Sequence, residues 1–98
     1  EADEPDGYAV AIPQDSVAYL AELAVAAGHR GEGHGSRLLT ALCERLAAEA
    51  FERLELTVRA DDERARDFYD ANGFAEQERL PEHYEDGDGI LLARPLQN

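Results

Sequence analysis

Arg30-Gly31-Glu32-Gly33-His34-Gly35 stands between a strand-like run, 17–26, and a helix-like run, 36–51. Three glycines within five positions leave bare backbone N–H groups where a helix begins. Those donors and the positive end of the helix dipole favour an anion, most often a phosphate. Arg30 opens the loop and can add a charged contact. A glycine-rich loop alone is also consistent with a tight turn, so its meaning depends on what lies on either side.

Downstream, Leu38, Leu39, Leu42, Cys43, Leu46, Ala47 and Ala50 recur at three- and four-residue spacing, which predicts an amphipathic helix over about 35–51. Ser36 offers a hydroxyl near its start, for a cap or an anion. Leu54, Leu56 and Val58 alternate with Glu55, Thr57 and Arg59, the period of a strand. A second helix is expected over 62–72, with Asp61 or Asp62 as N-cap and Asn72-Gly73 as its stop. Upstream, 7–12 reads as a short strand, 13–15 as a turn and 17–26 as a longer strand. Residues 74–80 and 90–94 read as further strands, joined by an acidic, turn-rich loop over 81–88. Residues 1–7 read as a flexible lead-in.

The order strand, strand, helix, strand, helix, strand, strand implies one α/β domain spanning 1–98. The strand–helix–strand crossover demands a parallel pair and a right-handed connection, and the trailing strands suit antiparallel pairing. A mixed sheet with packed helices is the expected result. A hydrophobic share of 44% is ordinary for a globular chain. No apolar run approaches the roughly 20 residues of a membrane span. The acidic, polar start has no signal-peptide character, which together with the lone Cys43 suggests a reducing cytoplasm. The missing initiator Met suggests a fragment or a processed chain.

Charge narrows the partners. There are 22 acidic residues against 9 basic, a net charge of −13, and every basic residue is Arg. A dense acidic surface without lysine is expected of a protein working in high salt, and suggests a halophilic archaeal source. No basic stripe exists for nucleic acid. Cys43 lies on the apolar helical face and reads as a small buried hydrophobe. His29, His34 and His83 lack metal-ligand spacing, and no metal is expected.

Two linked motifs resemble the GNAT superfamily of acyl-CoA N-acyltransferases. The family's loop is Arg or Gln, two residues, Gly, one residue, Gly or Ala; here Arg30, Gly33 and Gly35 follow the strand Glu22-Leu23-Ala24-Val25. Its second signature is a strand, a helix ending in Phe-Tyr, then Gly-Phe; here Leu56-Thr57-Val58-Arg59-Ala60, Phe68-Tyr69 and Gly73-Phe74. The likeness covers roughly 17–94. His83-Tyr84 followed by Asp86-Gly87-Asp88 more loosely resembles the N-terminal-amine acetyltransferases, including the ribosomal-protein alanine type. The family's first strand and one or two helices have no counterpart here. If that segment comes from elsewhere, the protein is expected to be a dimer, such as a homodimer, or a fragment of a longer chain.

The resemblance implies acetyl-CoA as co-substrate, lying where strands 17–26 and 54–59 splay apart. Arg30, Gly31, Glu32, Gly33, His34, Gly35 and Ser36 would hold the pyrophosphate. Leu23, Ala24 and Val25 would carry the pantetheine arm, Leu23 and Val25 through backbone bonds. A backbone N–H near Val25 would polarise the thioester carbonyl. Asp62 takes the place of an Asn that contacts CoA, but its carboxylate cannot donate. Tyr69 matches the general acid; without the motif it would read as a core aromatic.

The base departs from the family pattern: the resemblance implies a position where the N-terminal-amine enzymes often carry Glu or His, and here it is Thr57, which cannot act as a base. Glu22 is one candidate, since a partly buried carboxylate beside the acetyl group suits proton removal. The bland alternative for Glu22 is a solvated charge on a strand face. Tyr19, acting through water, is another candidate, with simple packing as its alternative. A water chain is a third. His83 and Tyr84 would line the entrance for the acceptor, a primary amine or peptide N-terminus, or else form an exposed loop. The expected activity is direct N-acetyl transfer in a ternary complex. The competing expectations are a non-catalytic acyl-CoA-binding or regulatory module and a purely structural domain.

Overall fold

In a computed structural model, which describes residues 7–25 and 33–97, the chain forms seven elements. They are β1 (Gly7–Gln14), β2 (Val17–Val25), α1 (His34–Ala48), β3 (Arg53–Arg59), α2 (Glu63–Ala71), β4 (Ala75–Tyr84) and β5 (Gly87–Pro95). The five strands make one mixed sheet in the order β1-β2-β3-β5-β4. β2 and β3 are parallel and every other pair is antiparallel. The expected mixed α/β architecture is therefore the observed one.

The core lies on one face of this sheet. Leu39, Cys43 and Leu46 of α1 meet Ala18, Leu20, Leu54, Leu56, Val58, Ile90 and Leu92 of the strands. The three- and four-residue spacing of α1 and the period of two in β3 bring these side chains together. Ala65, Phe68 and Tyr69 of α2 pack against the same cluster. The opposite face carries Tyr8, Val10 and Ile12 of β1, all exposed, so the apolar alternation of this strand serves two unequal surfaces. Among the described residues, no helix is long and apolar enough to cross a membrane.

Both helices end in the same device. Past α1, Ala50 N–H donates to Ala47 C=O and Phe51 N–H donates to Leu46 C=O, with Ala50 left-handed at φ 69°. Past α2, Gly73 N–H donates to Asp70 C=O and Phe74 N–H donates to Tyr69 C=O, with Gly73 at φ 90°. These are Schellman stops, which glycine fits and alanine strains. The helix expected to reach Phe51 stops earlier for this reason. Ala50→Gly is expected to raise stability by about 1 kcal/mol, read as a higher urea midpoint with an unchanged slope.

Two segments depart from the sequence reading. The turn placed at 13–15 lies at Asp15–Ser16, because Pro13 and Gln14 still pair with Ala18 and Val17 on the edge strand. The loop placed at 81–88 is mostly strand: β4 runs to Tyr84, and Tyr84 pairs with Gly87. Pro81, Glu82 and His83 form an irregularity within it, with Glu82 at φ 55°. Asp88 Oδ1 accepts the Glu82 N–H at 2.9 Å, holding the kink. Pairing to β5 thus overrides the local turn preference of Pro81.

Candidate active site

β2 and β3 pair at only three positions, Val17↔Arg53, Ala18↔Leu54 and Tyr19↔Glu55. Beyond them β2 stays bonded to β1 as far as Val25, and β3 stays bonded to β5 as far as Arg59. The two parallel strands therefore part company and open a wedge in the middle of the sheet. Their facing backbone edges, over 20–25 and 56–59, have no strand partner there among the described residues. A bulge gives the physical cause. Leu20 opposes Ala11 and Glu22 opposes Val10, so Ala21 is an extra residue in β2. A bulge bends its strand and increases the local twist.

Register assigns side chains to faces. Leu20 and Leu23 lie on the helix-covered face, opposite Ala11 and Ala9. Tyr19, Glu22 and Ala24 lie on the open face, opposite Ile12, Val10 and Tyr8. At the apex of the wedge the Tyr19 hydroxyl donates to Thr57 Oγ1 at 3.0 Å. That bond spans β2 and β3 just past their last pair. The Tyr8 hydroxyl donates to Glu22 Oε2 at 2.8 Å. Of the two alternatives for Glu22, a partly buried carboxylate and a solvated charge on a strand face, the second is the one observed: its side chain is exposed, since nothing described covers this face of the sheet. The same contact pushes the Tyr8 phenol up, first through the hydrogen bond to Glu22 and then through its charge.

Tyr69 belongs to the other face. It is the third residue before the Asn72 cap, and its ring meets Phe74 edge-on at 5.5 Å. An apolar contact between these two positions commonly accompanies a Schellman stop. Phe68 adds a second edge contact at 5.0 Å. The Phe-Tyr and Gly-Phe signature is thus a folding device that fixes the tyrosine ring. Burial pushes the Tyr69 phenol above its usual 10.0, so it remains a proton donor at neutral pH.

α1 begins at Gly33, which is left-handed at φ 79° and ψ 7°. Among the described residues no side chain caps this end, and its first turn carries no acidic residue. An uncapped helix start is a place where an anion is favoured. Arg37 Nη2 and His34 Nδ1 lie 3.0 Å apart in that turn. Ser36 does not cap; its hydroxyl accepts from Asn72 Nδ2 at 3.1 Å. Asn72 Nδ2 also donates to the Phe68 carbonyl at 2.8 Å, tying the stop of α2 to the start of α1. Asn72→Ala should lower stability by about 1–2 kcal/mol and loosen this tie, read by urea unfolding beside acetyl-CoA titration.

Asp62 is the N-cap of α2, its Oδ1 accepting the Ala65 N–H at 3.1 Å. His83 and Tyr84 sit at the tip of the β4–β5 hairpin, edge-to-face at 4.8 Å, beside an open cleft of about 690 Å³. Arg30, Gly31 and Glu32 lie outside the described residues. Cys43 is buried, and burial pushes its thiol up, which suits a packing role and not a nucleophile. Among the described residues no group of three or more His, Cys, Asp or Glu is arranged to hold a metal ion.

Sequence reasoning missed the Tyr19–Thr57 bridge, the Tyr8–Glu22 bond and the Asn72–Ser36 tie. Each spans at least 14 residues of chain and depends on register, for which the sequence carries no local signal.

Comparison with known proteins gives consistent likenesses. The family model described as "Acetyltransferase (GNAT) family" matches residues 1–74. The chain is 44% identical over 72 residues to N-alpha-acetyltransferase 40 of Saccharomyces cerevisiae, covering 66% of this chain and 24% of that protein. It superposes on the ribosomal-protein-S18-alanine N-acetyltransferase of Escherichia coli with a TM-score of 0.86 and 27% identity, over 100% of this chain and 66% of that one. A GNAT family acetyltransferase of Elizabethkingia anophelis with acetyl-CoA bound shares the fold, with a TM-score of 0.87 and 19% identity, over 97% of this chain and 71% of that one. The chain thus spans about a quarter of the yeast relative and about two thirds of the E. coli structure.

Proposed function

We propose, from the premise that this chain belongs to the GNAT acetyltransferase family, that it moves an acetyl group from acetyl-CoA to a primary amine. The acceptor in this reading is a protein N-terminus; what supports it is likeness to a yeast protein named as an N-alpha-acetyltransferase and to an E. coli structure named as a ribosomal-protein-S18-alanine N-acetyltransferase. One observation carries the proposal: β2 and β3 part into a wedge, and Tyr69 of α2 packs on the helix-covered face of the same sheet.

Acetyl-CoA supplies an activated thioester. The first-turn N–H groups of α1, from Gly33 onward, would hold its pyrophosphate, with Ser36 and Arg37 beside them. The unpaired edge of β2 at Leu23, Ala24 and Val25 would hydrogen-bond the extended arm as a further strand would. An amine would approach from the open face, past Glu22 and Tyr19. Its ammonium proton would leave through water to Glu22, whose exposed carboxylate remains within solvent reach. The N–C bond forms as the C–S bond breaks, and Tyr69 protonates the departing sulfur from the opposite face.

The test is the mass of short peptides after incubation with acetyl-CoA and the chain. Free-amine peptides should gain one acetyl group at the N-terminus, and N-terminally blocked peptides should not. Unchanged mass throughout would favour a second reading, an acyl-CoA-binding module without turnover. The observation on that side is Thr57, a hydroxyl engaged by Tyr19 and unable to act as a base.

A further inference from the structure

Arg59, the last residue of β3, gathers the tip of the β4–β5 hairpin around one guanidinium. Its Nη2 donates to Asp86 Oδ1 at 2.8 Å, and its Nε lies 3.4 Å from Asp61 Oδ1. Its Cζ sits 5.1 Å from the centroid of the Tyr84 ring. A Cβ on Gly87 would come within 3.1 Å of Nη2, so glycine lets the guanidinium close onto the hairpin. Tyr84 in turn braces His83, whose side chain would meet a Cβ on Gly89 at 3.1 Å. The planar guanidinium serves two carboxylates and one aromatic face at once, which an ammonium cannot reproduce.

The position of this cluster gives it consequence. β2 and β3 run parallel and diverge toward their C-terminal ends, so Arg59 stands at the wide end of the wedge. Arg59 pairs with Gly89 at the start of β5, which brings the hairpin tip to the same end. We propose that Arg59 is a positioning residue for the acceptor: it holds His83 and Tyr84 as one wall of the mouth through which the amine enters. This rests on the acetyltransferase reading above. Asp86 and Asp61 are the anchors of that wall, and Arg59 itself touches neither the thioester nor the amine.

The test compares R59Q, R59K and D86N with the unaltered chain, using the peptide that is acetylated best. R59Q should raise the peptide KM about tenfold while the acetyl-CoA KM stays within about twofold and kcat changes less than the peptide KM. R59K should recover part of the loss, since it restores charge without the planar fork. D86N should shift the peptide KM in the same direction by less. Amide hydrogen exchange over 82–88 should quicken in R59Q, and exchange in α1 should not.

A peptide KM unchanged in both R59Q and D86N overturns the inference, as does unaltered exchange at the hairpin tip. Should R59Q fail to fold, D86N carries both readouts. An unaltered chain that releases CoA to no amine overturns the acetyltransferase reading itself, and the acceptor role with it.

Discussion

Gly33→Val is expected to weaken acetyl-CoA binding about a hundredfold or more while leaving most of the fold in place. Gly33 is the N-cap of α1 at φ 79°, a conformation that a β-branched residue adopts poorly. Valine would pull the backbone toward negative φ and turn the first N–H groups of the helix away from a common point. A Cβ there also approaches Arg37 Nη1 at 3.4 Å, so the guanidinium would have to give way slightly. Gly33 is exposed and outside the core, which limits the stability loss to about 1–2 kcal/mol of backbone strain. Calorimetric titration with acetyl-CoA, beside urea unfolding, separates the two effects. Undiminished affinity would remove this helix start from the site.

Tyr69→Phe is expected to lower kcat by about a hundredfold with acetyl-CoA affinity within about twofold of the original. Phenylalanine keeps the edge contacts to Phe68 at 5.0 Å and Phe74 at 5.5 Å, so stability should hardly change. Only the proton for the sulfur is lost. Because burial holds the phenol above 10.0, Tyr69 stays protonated through neutral and mildly alkaline pH. The loss of this acid should appear as an alkaline fall in rate only above that value, absent from the phenylalanine variant. The raised value has a matching consequence for stability: its contribution is present below the unfolded-chain phenol range and disappears as pH rises through the folded value. Equal turnover in both proteins would return Tyr69 to a packing role.

The parts of this molecule that follow local rules were legible from residue spacing. Leu39, Cys43 and Leu46 reach the core as their spacing predicts, and Leu54, Leu56 and Val58 face it as their alternation predicts. Asn72-Gly73-Phe74 announces both the end of α2 and, through the Schellman contact, the setting of Tyr69. The wedge was expected only from family likeness, because the extra residue at Ala21 that bends β2 has no local marker. Alternation places Glu22 on a face, but not whether that face is covered, and the exposed side chain follows from what lies above it. Pro81 and its neighbours read as loop because their pairing depends on β5, which follows later in the chain. Arg59 enters the sequence reading only through the alternation of its strand, since Tyr84 and Asp86 reach it from 25 and 27 residues downstream.

The measurement that bears most directly on the account is thiol release from acetyl-CoA with free-amine and N-terminally blocked peptides, run at low and at multimolar KCl because the net charge is −13. The account predicts release that depends on a free peptide N-terminus and falls sharply in Tyr69→Phe. Thiol release that is absent with every amine, while acetyl-CoA still binds, would contradict it and leave an acyl-CoA-binding module in place of an enzyme.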